Sequence, residues 1–197
     1  MFFLHLLYMK TFTDVTLKKS PYYDKIVYFI TNHDLTQTFP NCKVVKYADL
    51  ENYESIYDLL PNKLDFCFIL TENDRNIRHW TCITRSNKNF SYFDSYADKP
   101  KSILDFIPKA MNAYLGNNFE KDLGKMIKTI KKTDKFEYNT TPLQQELTDV
   151  NTCGRWVIAR VSLFLTNSLN NQQFATYIKK QQSKVKRPFD EVICMLA

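Results

Sequence analysis

The chain has 197 residues, of which 44% are hydrophobic and 15% aromatic, and its formal charge is +6. This length predicts a single domain, 1–197, and the composition excludes a disordered or low-complexity chain. The five cysteines include no C-x-x-C pair, so neither a disulfide framework nor a zinc site is predicted. A reducing compartment fits them best, and we expect a protein that is not secreted and needs no metal or cofactor.

Lysines cluster in three stretches of the chain, at 99–101, 121–135 and 179–187. Such clusters are typical of solvated helix faces, which is the simpler interpretation. They also fit weak, non-specific contact with DNA, because lysine beside a phosphate releases counterions. No nucleic-acid-binding motif accompanies the charge.

The first nine residues are apolar but lack the basic segment and cleavage site of a signal peptide. They are also far shorter than the ~20 apolar residues that a membrane span needs. We expect a buried first element here and no membrane association. Met9 is an alternative start.

The first hundred residues predict two short helices followed by three strands. The helices span 34–39 and 53–60, and the strands span 64–70, 77–84 and 89–96. The first strand is a continuous apolar run, which indicates burial on both faces, and a polar turn is predicted at 71–76. The other two strands flank the polar segment 85–88 and are expected to form a hairpin. The segment 1–60 is therefore mixed, and 64–96 carries the strands.

The second half predicts mainly helices. They span 101–115, 120–131, 153–168 and 172–184, with one strand at 135–141. The helix at 153–168 is apolar nearly all round, which indicates a buried central element, and the polar loop 142–152 precedes it. Pro188 interrupts the helical pattern and an apolar tail follows. Strands grouped in the middle with helices around them predict an α+β fold.

Cys153 begins this central helix, where the positive end of the helix dipole lowers a thiol pKa. Asn151 and Thr152 are residue types favoured at a helix N-cap, and Gly154 is expected to leave the thiol open to a substrate. Cysteine catalysis needs a base beside the thiol and a group that orients the base. A buried cysteine is more often a small core hydrophobe, so Cys153 alone does not establish a nucleophile.

His79 is the candidate base, because the other two histidines lie in the apolar N-terminus and in a predicted loop. With the hairpin turn centred between positions 86 and 87, His79 lies opposite Asp94, and opposed Cβ atoms are about 4.5–5.5 Å apart. A turn centred one residue later places His79 opposite Tyr96, with Asp94 as its diagonal neighbour. Either register pairs the imidazole with a carboxylate, whereas a half-step shift separates them on opposite faces.

Oxyanion donors are the remaining requirement of acyl transfer. The loop before Cys153 carries Gln144 and Gln145, whose side-chain amides are candidate donors together with the Cys153 backbone N–H. Both glutamines are equally compatible with a solvated surface.

Four short motifs occur in order: Arg-His-Trp-Thr-Cys-Ile at 78–83, Tyr-Phe-Asp-Ser at 92–95, the glutamine loop, and Asn-Thr-Cys-Gly at 151–154. This ordered set resembles the adenovirus-type maturation proteases (adenain) and the related SUMO/ubiquitin-like-specific proteases. It looks closest to versions carried by virophages, Polinton-like elements and large DNA viruses. The similarity covers roughly 79–160, and the order of the motifs differs from that of papain, where the cysteine comes first.

The resemblance implies a papain-like α+β fold with a central mixed β-sheet flanked by helices. It implies Cys153 as nucleophile, His79 as general base and Asp94 as orienting acid, where adenain has a glutamate. It also implies that Trp80 lines the substrate channel.

The family's glutamine usually lies about six or seven residues before the cysteine. Gln145 lies eight and Gln144 nine residues before Cys153. On this spacing we favour Gln145 as the oxyanion donor.

The activity that the resemblance implies is that of a viral cysteine endopeptidase. Such an enzyme would cleave capsid or core precursor proteins near glycine, as a monomer, in the virion and in the host cytoplasm or viral factory. The alternatives are a protease for SUMO or ubiquitin-like tags, a non-enzymatic nucleic-acid-binding protein in which the motifs match by chance, and an acetyltransferase using the same three residues.

Overall fold

The structure is a computed structural model, and it describes residues 17–72, 78–100, 104, 109–115, 122–147 and 149–197. The predicted first element, 1–9, lies outside these residues, as do 101–103 and 105–108 of the predicted helix 101–115. Within the described part, no helix is long and apolar enough to cross a membrane.

A five-stranded mixed sheet lies at the centre of the fold, with its strands in sequence order. The strands are β1 Lys43–Lys46, β2 Leu64–Glu72, β3 Arg78–Ser86, β4 Asn89–Asp94 and β5 Lys135–Tyr138. The outer strands β1 and β5 run parallel to their neighbours β2 and β4. The central strand β3 is antiparallel to both β2 and β4. The predicted α+β class and central mixed sheet are confirmed at this level.

Helices cover both faces of the sheet. Those in the described residues are α1 Tyr23–Val27, α2 Asn32–Thr38, α3 Ile56–Leu59, α4 Lys109–Tyr114, α5 Leu123–Lys128, α6 Cys153–Asn167, α7 Asn171–Val185 and α8 Phe189–Leu196, with a 3₁₀ helix at Tyr47–Asn52. The predicted helix at 53–60 is therefore shorter than expected. The apolar C-terminal tail forms a helix, α8, that begins directly after Pro188, which suits a helix start because proline has no N–H to donate.

Side chains of the inner strands alternate between two apolar clusters. On one face, Trp80 and Phe93 belong to a cluster with Trp156 of α6. On the other face, Ile83 and Tyr92 pack with the 3₁₀ helix, α3 and α5. Because a strand sends successive side chains to opposite faces, a strand covered on both sides is apolar throughout. For the predicted strand 64–70, burial on both faces is confirmed at 67–70, whereas Leu64 is exposed.

β2 and β3 pair further than the sequence predicts. The turn was expected to begin at Thr71, but Thr71 pairs with His79 and Glu72 with Arg78. The pairing extends the β2–β3 ladder to the start of β3, and it thereby fixes the backbone of His79 within the sheet.

The hairpin turn between β3 and β4 consists of Asn87 and Lys88, because Ser86 pairs with Asn89. Asn87 has a φ of 54°, in the left-handed region that asparagine tolerates better than most residues. The turn centred between 86 and 87, which places His79 directly opposite Asp94, is therefore wrong. The second register is the observed one.

α6 is the central helix, and it runs from Cys153 to Asn167, with Ser168 ending it in the left-handed conformation. Thr152 occupies the N-cap as predicted, but its side chain makes no capping hydrogen bond. Its hydroxyl instead donates to Asp190 of α8. The start of α6 is thus held by a tertiary contact rather than by a local cap.

Candidate active site

His79 and Asp94 meet at one end of the sheet, near the start of β3 and the end of β4. In the observed register Asp94 pairs with Thr81, so His79 is its diagonal neighbour on the same face. The two side chains bridge this diagonal, with His79 Nε2 lying 3.0 Å from Asp94 Oδ2. The turn is centred one residue later than the first of the two predicted registers, but His79 and Asp94 are still paired.

Two further residues, Tyr96 and Asn139, hold Asp94 in place through three hydrogen bonds. Its Oδ1 accepts the backbone N–H of Tyr96 at 2.8 Å. Asn139, directly after β5, accepts the Asp94 N–H through Oδ1 at 2.9 Å and donates Nδ2 to the Asp94 carbonyl at 2.6 Å. These contacts fix the orientation of the carboxylate independently of the imidazole. Asn139 also continues the β4–β5 pairing beyond the last strand residue.

Cys153 meets the same imidazole from the other layer of the fold. Its thiol forms a side-chain hydrogen bond with His79. Because Nε2 faces Asp94, Nδ1 is the ring nitrogen left for the sulfur. The three residues are nearly buried, with exposed fractions of 3% for Cys153, 7% for His79 and 1% for Asp94. Water therefore screens the electrostatic interactions among them only weakly.

The electrostatics of the three residues favour a charged imidazole. Burial lowers the pKa of His79, but the Asp94 charge, the Asp94 hydrogen bond and the Cys153 thiol all raise it, and the balance brings the pKa to about 10. A neighbouring carboxylate favours the imidazolium over the neutral ring. The surroundings of His79 therefore favour its protonated form.

The two loop glutamines have different surroundings. Gln144 is buried, and its Oε1 accepts the Ser95 hydroxyl at 2.7 Å, while its Nε2 lies 3.0 Å from the Tyr96 hydroxyl and 3.1 Å from the Val150 carbonyl. The side chain of Gln145 is exposed. Of the two candidates, Gln144 is therefore the one that contacts Tyr96 beside the imidazole.

Tyr96 is a site residue that sequence reasoning considered only as a register alternative. Its ring stacks on the His79 imidazole, with centroids 5.1 Å apart and an interplanar angle of 22°. Burial raises the pKa of its hydroxyl, and the nearby Cys153, Asp190 and Asp94 charges raise it further. Tyr96 thus covers one face of the imidazole and connects it to the glutamine.

Trp80 lies in the core, next to His79 in the chain. Its side chain is fully buried, its Nε1 donates to the Ile30 carbonyl at 2.7 Å, and its ring stacks on Phe29 at 6.3 Å. Trp80 packs the core beside His79, and its place along a substrate channel stays a prediction.

Gly154 also has a different role from the one expected. It was predicted to leave the thiol open, but it is buried, and a Cβ at this position would lie 2.3 Å from Ile30 Cβ. The absence of a side chain therefore allows the first turn of α6 to approach the segment after α1.

No group of three or more His, Cys, Asp or Glu side chains in the described residues is placed to hold a metal ion.

Comparison with known proteins gives one relative of similar length. The chain is 29% identical to the uncharacterized protein V9 of Sputnik virophage, over 91% of this chain and 99% of that protein. No protein-family model matches the chain. A virophage protein thus shares nearly the whole length of this chain.

Solved structures share its fold only loosely. The Chlamydia abortus effector protein ChlaDUB is 16% identical with a TM-score of 0.30, covering 64% of this chain and 58% of that one. The ASFV pS273R protease is 14% identical with a TM-score of 0.33, covering 75% and 65%. The central domain of the uncharacterized Lpg1148 protein from Legionella pneumophila is 15% identical with a TM-score of 0.37, covering 71% and 77%. The chain spans less than two thirds of the first two structures.

Proposed function

We propose that this protein is a cysteine endopeptidase with a papain-like fold, in which Cys153 is the nucleophile, His79 the general base and Asp94 the orienting acid. The observation that carries the proposal is the imidazole held between two partners. Asp94 Oδ2 lies 3.0 Å from His79 Nε2, and the Cys153 thiol is hydrogen-bonded to the same imidazole ring. These residues come from β3, the end of β4 and the first turn of α6, so no local structural requirement explains their convergence.

The reaction proceeds in two steps through a thioester. The proton that His79 holds is the one it takes from the Cys153 thiol, and the Cys153 sulfur attacks the scissile carbonyl carbon. As the tetrahedral intermediate collapses, His79 returns the proton to the leaving amine, and the acyl group stays on sulfur. Water, deprotonated by the same imidazole, then releases the acid and regenerates the thiol. Asp94 stabilises the imidazolium that forms in each step.

Gln144 is the proposed side-chain donor to the oxyanion. Its Nε2 donates to the Tyr96 hydroxyl and to the Val150 carbonyl, near the start of α6, so it would exchange one of these two hydrogen bonds for the oxyanion. The Cys153 backbone N–H, in the first turn of the helix, is the second donor, because the first N–H groups of a helix have no partner within it. Together they would stabilise the negative charge of the intermediate.

The proposed substrates are capsid or core precursor proteins, cut near glycine, with the enzyme acting as a monomer in the virion and the viral factory of the host cytoplasm. The similarity to a Sputnik virophage protein supports a viral setting. The exposed lysines of α7 are compatible with the predicted weak contact with DNA.

Incubation with the capsid precursor of the same genetic element tests this proposal. We expect the wild-type protein to cut the precursor at a few sites, and Cys153→Ala to leave it intact while folding normally. Cys42→Ala is the matched control, because Cys42 is a free cysteine away from the site and should retain full activity. A folded wild-type protein that leaves the precursor unchanged would contradict the substrate assignment, and cleavage of a ubiquitin-like fusion instead would favour the tag-protease alternative.

A further inference from the structure

Asp190 of α8 is a buried carboxylate that the proposed reaction does not use. It is 1% exposed and lies over the start of α6. Its Oδ1 accepts the Thr152 hydroxyl and the Trp156 indole N–H, the latter at 3.3 Å. Its Oδ2 accepts the backbone N–H of Gln145 at 3.0 Å. One side chain therefore ties together three parts of the chain: α8, the N-terminal turn of α6 and the glutamine loop.

The three contacts require a carboxylate rather than an amide. Two of the donors, the indole N–H and the backbone N–H, can only donate, and they approach different oxygens of Asp190. Burial raises the pKa of this carboxyl, and the hydrogen bonds from Thr152, Gln145 and Trp156 act against that rise. A buried acid is costly unless it is well bonded, so this cluster is built around an acceptor with two oxygens.

The position of the donors connects Asp190 to the proposed oxyanion site. The Gln145 N–H belongs to the peptide group that directly follows Gln144, and Thr152 directly precedes Cys153. The loop between them is irregular, and the side chains of Gln145 and Glu146 are exposed. Asp190 thus links the segments that carry the two proposed donors, the Gln144 amide and the Cys153 N–H.

We propose that Asp190 is a positioning residue that fixes the Gln144 amide relative to the Cys153 N–H, and so sets the geometry of the oxyanion site. The inference rests on the proposed function. If Asp190 only held α8 in place, loss of its hydrogen bond to the Gln145 N–H would affect stability alone. If it positions the loop, the same loss should lower the turnover of a protein that remains folded.

The variant Asp190→Asn tests it. Asparagine has the same shape as aspartate and keeps one oxygen, which can still accept from Thr152 and Trp156. Its NH₂ group then faces the Gln145 N–H, and two donors cannot bond to each other. Only the hydrogen bond to the loop is therefore lost. With a fluorogenic peptide of the sequence cut in the capsid precursor, we expect kcat to fall about tenfold or more and KM to change little. Alkylation of Cys153 by chloroacetamide should keep its wild-type rate, because it needs the thiolate and not the oxyanion donors. Hydrogen exchange in the peptide spanning 142–150 should accelerate.

Glu137→Gln is the matched control. The Glu137 carboxylate also accepts a side-chain hydroxyl and a backbone N–H, from Ser91 at 2.7 Å and Asn171 at 3.1 Å, but it has no contact with the glutamine loop among the described residues. We expect this variant to keep the wild-type kcat and the wild-type exchange in 142–150. If Asp190→Asn does not fold, Asp190→Ser replaces it, since a short hydroxyl cannot reach the loop and the same loss of kcat is expected.

A double variant separates positioning from general destabilisation. If Asp190 acts through Gln144, adding Asp190→Asn to Gln144→Ala should lower kcat little further, because the donor is already gone. Fully additive losses would overturn the inference, as would an active Asp190→Asn protein with the kcat and loop exchange of the Glu137→Gln control. A wild-type protein that cleaves nothing would instead contradict the proposed function, and the inference with it.

Discussion

At the scale of single residues, the imidazole of His79 is the group whose properties depend most on its partners. Asp94 and Cys153 raise the pKa to about 10, against the effect of burial. A raised pKa means that the folded protein holds a proton more tightly than the unfolded chain. The ion pair therefore contributes its full stability below the pKa of the unfolded histidine, 6.5, and this contribution is lost as the pH rises through the folded pKa of about 10.

The variant Asp94→Asn should remove most of this pH dependence. We expect the free energy of unfolding of the wild type to exceed that of the variant most at pH 6, and the difference to narrow steadily towards pH 10. Urea denaturation of both proteins at pH 6, 8 and 10 measures it. A difference that stays constant with pH, or widens, would show that Asp94 does not hold a proton on His79.

At the scale of secondary-structure elements, the first turn of α6 approaches the segment after α1 so closely that only glycine fits at position 154. A Cβ there would lie 2.3 Å from Ile30 Cβ and 2.8 Å from Ile30 Cγ1. Alanine is normally the better helix residue by about 1 kcal/mol. Steric overlap in a packed core costs about 1–3 kcal/mol, so the overlap should win.

We therefore expect Gly154→Ala to lower the free energy of unfolding by up to about 2 kcal/mol, which is the overlap cost of about 1–3 kcal/mol minus the gain of about 1 kcal/mol in helix propensity. A double-mutant cycle with Ile30→Gly, which removes the opposing Cβ, should recover a large part of the loss attributed to the alanine. If Gly154→Ala is neutral or stabilising in thermal and urea denaturation, the close approach of these elements is not a feature of the folded protein.

The same scale shows what local sequence patterns can predict. The His79–Asp94 pair was found because strands alternate with a period of two, and both favoured registers place the side chains within reach. Spacing could not predict which of Gln144 and Gln145 is buried, because an irregular loop has no period that assigns a side chain to the interior. Asp190 carried no local signal, since its partners lie 34 to 45 positions away in the sequence. The contact of Gly154 with Ile30 is likewise a tertiary one, which spacing alone does not reveal.

At the scale of the whole molecule, the N-terminal and C-terminal segments pack against each other beside the site. The Asn151 N–H donates to the Ile26 carbonyl at 2.8 Å, and Asn151 Nδ2 donates to the Val27 carbonyl at 2.8 Å. Lys25 Nζ donates to the Cys194 carbonyl of α8 at 2.8 Å. The start of α6 thus lies between α1 and α8, so the site depends on both ends of the described chain.

This interlocking predicts one cooperative unfolding transition for the whole chain. Far-UV circular dichroism and the fluorescence of the two tryptophans, Trp80 and Trp156, should report coincident midpoints in urea. The variant Lys25→Met, which removes one link to α8, should shift both midpoints together. Two separated transitions would contradict the prediction of a single domain.

The central claim is that Cys153 is a nucleophile activated by His79, and covalent labelling tests it most directly. A peptide probe with a vinyl sulfone in place of the scissile bond, made on the sequence cut in the capsid precursor, is incubated with the folded protein and the labelled residue is located by mass spectrometry. We predict one equivalent of label on Cys153, no label on Cys153→Ala, and labelling of His79→Ala slowed at least about a hundredfold, the lower end of general-base contributions. Label distributed over Cys42 and Cys194, or equal rates with and without His79, would contradict the account.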